Sequence, residues 1–392
     1  MAQEEFSTGI HQVGRRFGKL APSAEQAVRI RHVPRSNQRF EPLPTPTGAA
    51  PYHFDLAQVA SAVTMQAIER AGRLVFHLTG DVGGVKVPQS QQLVAMTMEN
   101  DFHGDGPAPS FLYIVGDVVY FYGEVSQYYS QFYEPYLSYP APIFAIPGNH
   151  DGDVIDPSVS SLAAFMTNFC ASHPHPTAES GDTGRDAMTQ PNPYWTLNAP
   201  YATLVGIYTN VPEGGRLDDH QIEWLHTELT TAPADRALIL AMHHPALSAD
   251  SHHSGSLYID EFLDQAIAAS GRTPDLVVAG HVHNYQRFTR ARENRQVPYI
   301  VAGAGGYWHL HTMAKDATGA ALTTPWRVPD LDATLDSYVD DRHGYLRLTV
   351  SPTEIHGDYI TVPRPHESWR HGPTATVDSF TLNLQTHEIT EP

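Results

Sequence analysis

Cysteine is almost absent from the chain: Cys170 is the only one among 392 residues. An intrachain disulfide needs two cysteines and a zinc-thiolate site needs several, so the sequence excludes both. A metal site in this protein would therefore use oxygen and nitrogen ligands, which argues against metals that require soft thiolates. The 23 histidines are a plentiful source of nitrogen ligands.

Basic side chains and long apolar runs are also scarce. The chain has 24 Lys and Arg against 43 Asp and Glu, a formal net charge of -19 with His neutral. A surface this acidic repels nucleic-acid backbones and anionic membranes, so we expect neither as a partner. No apolar run reaches the length of a transmembrane helix. We expect a cytoplasmic protein from the sequence as it stands, or a periplasmic or secreted one if a signal was removed, and the oligomeric state is left open.

Two regions of the chain differ in composition. Residues 1–54 are rich in Pro, Arg and polar side chains, which predicts an extended N-terminal arm on the surface or a disordered leader. Residues 55–392 should form one domain, because 41% of the chain is hydrophobic and no internal repeat divides it. Near its start we predict a helix from Asp55 to Gly72, and we predict another over residues 218–229.

Five short apolar runs are each followed by side chains that can bind metals. The runs are 74–79 before Asp81, 111–115 before Asp117, 143–146 before Asn149 and His150, 237–241 before His243, and 276–279 before His281 and His283. Continuous apolar runs are typical of strands buried on both faces, in a sheet covered by helices. The residues that follow such strands meet at the carboxyl edge of the sheet.

The fold prediction follows from these runs and from the strand-rich region after Pro298. Those later strands would complete a second sheet packed against the first. We therefore predict an α/β fold of the four-layer α+β type, in which two packed mixed β-sheets are flanked by helices and a metal site lies at the carboxyl ends of the strands.

The side chains after the strands favour a particular metal chemistry. Two Asp, one Asn, several His and a Tyr would suit Fe, Zn or Mn. Two such ions a few ångströms apart, bridged by a carboxylate, can activate a water and stabilise the leaving oxygen of an in-line displacement. Alone, the Gly-Asp and Gly-Asn patterns are also typical of ordinary turns, and the proline after His243 and His244 would explain a strand end, whereas His281 and His283 after a buried strand already favour ligands. The whole series, each member at a strand end, predicts a metal site.

The order and spacing of these motifs resemble the calcineurin-like metallophosphoesterases, and within them the purple acid phosphatases. The resemblance covers about residues 74–360. Gly83 stands where the broad superfamily usually has a His, and Tyr120 is the additional residue typical of purple acid phosphatases. The two differences match, because Gly83 removes an imidazole ligand and Tyr120 supplies a phenolate to the same metal.

The resemblance implies two metal ions and their ligands. The first ion, Fe(III) in the family, would be bound by Asp81, Tyr120 and His283. The second, Fe(II), Zn or Mn, would be bound by Asn149, His243 and His281, with Asp117 bridging the two. A metal-bound hydroxide would then hydrolyse a phosphate monoester without a covalent enzyme intermediate, and the substrate would be a small phosphorylated compound.

The resemblance also implies catalytic histidines. His150 would contact the substrate phosphate and help to protonate the leaving alkoxide. A further family histidine corresponds to His252 or His253, of which we prefer His253. For two other features we expect no role in the site. His309 and His311 are expected in a solvated loop rather than in the lining of the active-site pocket. Arg185 is expected in a surface loop over residues 172–193 rather than on the substrate.

Two other functions stay open at this point. Asp151 stands where many purple acid phosphatases have Glu, which leaves open a phosphodiesterase of the same superfamily, for example one that acts on cyclic nucleotides; Tyr120 argues against it. A catalytically silent binding protein on the same scaffold is the second alternative. Loss of the bridging Asp or of a His would support it, yet every expected ligand is present.

Overall fold

A computed structural model describes residues 21–33, 39–367 and 374–391. The helices are α1 (Ala24–Ala27), α2 (Ala62–Ala71), α3 (Pro88–Asn100), α4 (Asn149–Gly152), α5 (Ala163–Phe169), α6 (Asp219–Thr231) and α7 (Leu257–Ser270). Short 3-10 helices span Leu56–Gln58, Asp101–His103 and Val125–Gln127, and a π-helical turn spans Tyr129–Tyr133. Among the described residues, no helix is long and apolar enough to cross a membrane.

Sixteen strands are present among the described residues. They are β1 (His53–Asp55), β2 (Leu74–Thr79), β3 (Leu112–Val115), β4 (Ile143–Ile146), β5 (Trp195–Ala199), β6 (Ala202–Gly206), β7 (Ala237–Met242), β8 (Leu276–Ala279), β9 (Tyr285–Arg292), β10 (Arg295–Ala302), β11 (Trp326–Arg327), β12 (Ala333–Val339), β13 (Gly344–Val350), β14 (Glu354–Thr361), β15 (Ala375–Asn383) and β16 (Ile389–Thr390). The predicted strands at the five apolar runs are confirmed within a residue at each end.

The strands form two mixed sheets that pack face to face. One has the order β1-β5-β6-β7-β8-β10-β9-β12-β11, and the other β16-β15-β14-β13-β2-β3-β4. Aromatic rings fill the space between them: Trp195 of the first sheet lies 6.0 Å from Tyr113 and 5.4 Å from Phe144 of the second, measured between ring centroids. The predicted fold of two packed mixed sheets with helices is confirmed.

The strands that precede the ligand-type residues differ from expectation in one respect, because they are divided between the sheets. β2, β3 and β4 are parallel neighbours in the seven-stranded sheet, whereas β7 and β8 lie in the nine-stranded sheet. The strands after Pro298 are divided as well: β10 pairs with β8, and β13 pairs with β2. An apolar run predicts a buried strand but not its partner, so the sequence could not assign strands to sheets.

The start of the domain also departs from the prediction. Asp55 caps only the 3-10 turn, and α2 begins after Ser61, whose hydroxyl accepts the Thr64 N–H at 3.0 Å. The helix ends as predicted at Gly72, which has a left-handed φ of 64°. The helix predicted over residues 218–229 is confirmed as α6, with Asp218 as its N-cap.

The predicted N-terminal arm, residues 1–54, lies partly outside the described residues, at 1–20 and 34–38. Within the described part, Ala24 and Ala27 of α1 are fully buried in the core. The Arg29 guanidinium donates to Asp260 at 2.6 Å. β1 crosses the proposed boundary at residue 54 and pairs in parallel with β5. The described parts of the arm thus pack on residues of the larger region.

Candidate metal centre

The loops after β2, β3, β4, β7 and β8 meet at one edge of the two sheets. Three residues of these loops, Asp81, Asp117 and His281, have left-handed φ values of 56°, 53° and 68°. Such backbone is uncommon outside glycine, and Asp and His are among the residues that adopt it most readily. Gly116, just before Asp117, has no room for a side chain, because a Cβ there would collide with the His243 ring. The Gly-Asp motif is therefore needed for the close approach of two loops.

One group of ligand-type side chains surrounds Asp81. The Tyr120 hydroxyl donates to Asp81 Oδ1 at 3.2 Å, and His283 Nε2 lies 3.5 Å from the same oxygen. The other nitrogen of His283, Nδ1, is 3.0 Å from the carbonyl oxygen of His309 and donates to it. A backbone acceptor of this kind selects the tautomer and leaves Nε2 available to a metal.

A second group surrounds Asn149. Its Oδ1 lies 3.0 Å from His243 Nε2 and 2.9 Å from His281 Nδ1. His243 Nδ1 donates to the Val115 carbonyl oxygen at 2.9 Å, which again directs Nε2 into the site. Asp117 Oδ1 lies 3.4 Å from His243 Nε2. Since one ligand atom each of Asp81, Asp117 and His243 lies within 4.8 Å of the others, the two groups are adjacent.

The two central carboxylates need compensating positive charge. Burial, together with the neighbouring Asp117, raises the pKa of Asp81 to about 7, although His243 opposes that rise. Burial also acts to raise the pKa of Asp117, but His243 and His150 outweigh it and hold that pKa below its usual range. Both carboxyl groups are fully buried. Bound cations would let both ionise, so the donor set fits a metal centre.

Two of the proposed imidazole ligands, His281 and His283, are held neutral, whereas Asp117 raises the pKa of the third, His243, to about 9 against the effect of burial. Burial lowers the pKa of His281 to about 3, helped by His253. Burial likewise holds the pKa of His283 well below its usual range. A metal binds the neutral imidazole, so ligands that resist protonation keep their affinity in mildly acidic conditions.

His150 lies at the rim of this group rather than within it. Its backbone N–H donates to Asp117 Oδ1 at 2.9 Å, which anchors the residue to the centre. Its ring Nδ1 donates to the Phe121 carbonyl oxygen at 2.8 Å, and the ring centroid lies 4.6 Å from that of Tyr120. The imidazole is therefore oriented beside the centre, with Nε2 left for another partner.

Of the two histidines proposed for the further family position, His253 is the one beside the centre. Its ring centroid lies 4.3 Å from that of His281, and its Nδ1 is 3.1 Å from Glu213 Oε1. His252 is exposed, and its ring stacks on His311 at 4.6 Å instead.

Glu213 is a residue of this site that the sequence did not reveal. Its Oε1 contacts His253 and also lies 3.4 Å from His281 Nε2. Burial opposes its ionisation, but these two histidines lower its pKa well below the usual range. The only local signal is that Glu213 precedes two glycines, Gly214 and Gly215, which indicates a turn but not a contact with residues far along the chain.

The structure also shows the surroundings of three other residues whose contacts could not be predicted from the sequence. The solvated loop expected for His311 is wrong, because this side chain is only 4% exposed. The Arg185 guanidinium donates to the backbone carbonyl oxygens of Tyr136, Tyr139 and Ala141, so in this structure it stabilises a loop. The Asp151 carboxylate accepts backbone N–H groups of Gly148, Val118 and Val119 and so joins the loops after β3 and β4.

Comparison with known proteins places this geometry in a family. Residues 74–285 match the model of the calcineurin-like phosphoesterases. Purple acid phosphatase 18 of Arabidopsis thaliana is 28% identical over 169 residues, which are 41% of this chain and 35% of that protein. The chain therefore matches only about a third of the length of this relative.

Solved structures share the fold at low sequence identity. GAP50, the anchor in the inner membrane complex of Plasmodium, has a TM-score of 0.53 and 14% identity, over 79% of this chain and 89% of that one. Purple acid phosphatase PPD1 from yellow lupin (Lupinus luteus) seeds has a TM-score of 0.52 and 16% identity, over 79% and 53%. The matched family model covers more than half of the chain and contains every loop of the candidate centre, and so the protein belongs to the calcineurin-like phosphoesterases, with similarity to purple acid phosphatases.

Proposed function

We propose that this protein hydrolyses phosphate monoesters at a dinuclear metal centre. The observation that supports this most directly is that two donor groups, one around Asp81 and one around Asn149, meet next to the Asp117 carboxylate. No Lys or Arg among the described residues forms an ion pair with Asp81 or Asp117, whose only such partners are histidines. Buried carboxylates in that setting favour metal cations as their counter-charge.

The proposed roles of the ligands come from the resemblance to purple acid phosphatases, and the contacts within the two groups support them. Asp81, Tyr120 and His283 would bind the first ion, and Asn149, His243 and His281 the second, while Asp117 would contact both. The first would be Fe(III) and the second Fe(II), Zn or Mn. When bound, such a pair supplies Lewis-acid charge and activates the attacking water of an in-line displacement.

The protein's own groups would handle the substrate. His150, held through Nδ1 by the Phe121 carbonyl oxygen, presents Nε2 to the leaving-group oxygen and can donate a proton there. His253, oriented by Glu213, would contact the phosphate from the side of His281. A chain with a net charge of -19 would attract a phosphate only through such local positive charge, which favours small phosphorylated substrates.

Metal analysis combined with a panel of phosphate monoesters and diesters tests this proposal. We expect at least two ions per chain, and turnover of monoesters that stops when the ions are removed and returns when they are restored. Preferred turnover of diesters would favour the phosphodiesterase alternative. A fully loaded protein that hydrolyses neither class would favour a silent binding protein, the kind of function that the anchor role of GAP50 would suggest.

Tyr120 offers a test of the first site that does not depend on activity. Burial and the carboxylates of Asp117 and Asp81 raise its pKa far above the usual range, so only a strongly bound cation would displace the phenol proton. A phenolate bound to Fe(III) absorbs visible light. The iron-loaded, oxidised protein should be purple or pink, and Tyr120→Phe should lose this absorption while it keeps considerable activity, because Asp81, Asp117 and His283 remain.

Tyr307 provides the matched control. Its ring lies 4.3 Å from that of Tyr120 and 4.4 Å from that of His283, yet it is not in the proposed ligand set. Tyr307→Phe should therefore keep the colour. A colourless wild-type protein whose measured iron is oxidised would contradict the assignment of Tyr120, and so would loss of colour in the Tyr307 variant alone.

A further inference from the structure

A second cluster of ligand-type side chains lies next to the proposed dinuclear centre and shares no residue with it. The cluster consists of Asp250, His252 and His311. One ligand atom from each lies within 4.8 Å of the other two. Two imidazoles and one carboxylate form a donor set that binds zinc in other proteins, with a water in the fourth position.

The two buried members of the cluster already face one another. His311 Nδ1 lies 3.6 Å from Asp250 Oδ1 and has no hydrogen-bond partner among the described residues. That separation is too long for a hydrogen bond. A cation bound by the Asp250 carboxylate and by His311 would satisfy this buried nitrogen, which otherwise has no partner among the described residues.

His252 completes the cluster from the solvent side. Its ring lies nearly parallel to that of His311, at 4.6 Å and 18°. The side chain is exposed, so an ion can reach the cluster from solution. The ring is held by the Ser251 hydroxyl, which lies 2.9 Å from His252 Nδ1.

Asp250 is oriented by the protein and keeps capacity for a further partner. Its Oδ1 accepts the backbone N–H groups of His252 and His253, both at 2.7 Å, and its Oδ2 accepts from Asn284 Nδ2 at 3.0 Å. An ionised carboxylate offers about four acceptor directions, two on each oxygen, so the three donors leave one on Oδ2 for a cation.

The two chain segments that contain the cluster are held together by their backbones. Ser251 N–H donates to the Thr312 carbonyl oxygen at 3.1 Å, and Ala314 N–H donates to that of Ala249 at 2.8 Å. The positions of Asp250 and His311 are therefore set by the fold rather than by mobile side chains. In a site arranged in this way, ordering the ligands when an ion binds costs little conformational entropy.

The geometry points to a third metal site, in which Asp250, His252 and His311 bind a divalent transition ion of the Zn²⁺ class. This inference is independent of the reaction proposed above. The His311 ring centroid lies 4.3 Å from that of His283, a proposed ligand of the first ion. The third ion would therefore be separated from the dinuclear centre by these two neighbouring imidazole rings. It would add positive charge at the rim of a protein whose net charge is -19.

Counting bound zinc tests this site. The full-length protein and two variants, His252→Ala and His311→Gln, are brought to equilibrium with Zn²⁺ by dialysis, and the bound metal is measured by mass spectrometry. Each variant should bind about one ion fewer per chain than the wild type. His252→Ala removes an exposed side chain, so a folded protein is expected; circular dichroism checks both variants.

His309→Ala is the matched control, because its ring lies 5.9 Å from that of His252 but outside the donor set. It should bind as much zinc as the wild type. Equal zinc in the wild type and His252→Ala would overturn the third site, and so would an equal loss in the control. Asp117→Asn separates this inference from the proposed function, because it should lose ions from the dinuclear centre and keep the one that His252→Ala removes.

Discussion

Asp117→Asn should lose most of the metal bound at the dinuclear centre and lower kcat/KM by roughly 10³-fold or more, since one carboxylate would serve both ions. The substitution preserves size and shape. The amide oxygen of Asn can still accept the His150 N–H, a contact of 2.9 Å in the present structure, so the loop should keep its conformation. The change removes the negative charge and replaces one carboxylate oxygen with an NH₂ group that cannot bind a metal.

Metal content and steady-state kinetics on the same preparation measure both effects. Asp330→Asn is a suitable control: it makes the same change of charge at an exposed turn with a left-handed φ of 57°, which Asn also tolerates. It should match the wild type. If Asp117→Asn kept both ions and normal turnover, Asp117 would not be the bridge.

His150→Ala should lower kcat on esters with poor leaving groups by ~10²-fold or more and leave the metal content unchanged. His150 is placed beside the centre by its backbone contact with Asp117 and by the bond from its ring to Phe121, and it is not in the proposed ligand set. Its proposed task is to protonate the departing alkoxide. An activated aryl leaving group needs little protonation, so its hydrolysis should suffer much less.

The comparison of the two leaving groups distinguishes the roles of His150. His173→Ala, an exposed histidine on the loop over residues 172–193, controls for loss of an imidazole and should have no effect. Equal losses of kcat on both kinds of ester would contradict general-acid catalysis and favour phosphate positioning instead. Loss of metal from His150→Ala would show that the residue stabilises the centre itself.

The sequence predicted the parts of the molecule that depend on local pattern. Strands such as β2 and β3 were evident because each is apolar throughout and ends at a Gly-Asp pair. Each member of that pair has its own physical reason: the glycine leaves room for a neighbouring segment to approach closely, and Asp81 and Asp117 have a left-handed backbone that Asp tolerates. Most of the candidate site was predictable for the same reason.

What the sequence did not predict depends on contacts between distant residues. The assignment of β2 and β7 to different sheets follows from hydrogen-bond partners that an apolar run does not specify. Glu213 reaches His281 across 68 positions of the chain, and nothing near Glu213 signals that contact. Asp55 and Ser61 are both good helix caps, and local pattern alone did not indicate which of them begins the long helix.

Because the proposed ligands are divided between the two sheets, the supply of metal should affect the stability of the protein against unfolding. Asp81, Asp117 and Asn149 follow strands of one sheet, whereas His243 and His281 follow strands of the other. An ion bound by both halves fastens them together, and it cannot bind in this way once they separate. Ions at a hundred times their dissociation constant would add about 2.7 kcal/mol to the free energy of unfolding for each independent site. Scarcity of metal in the cell would therefore reduce the amount of folded protein as well as its turnover.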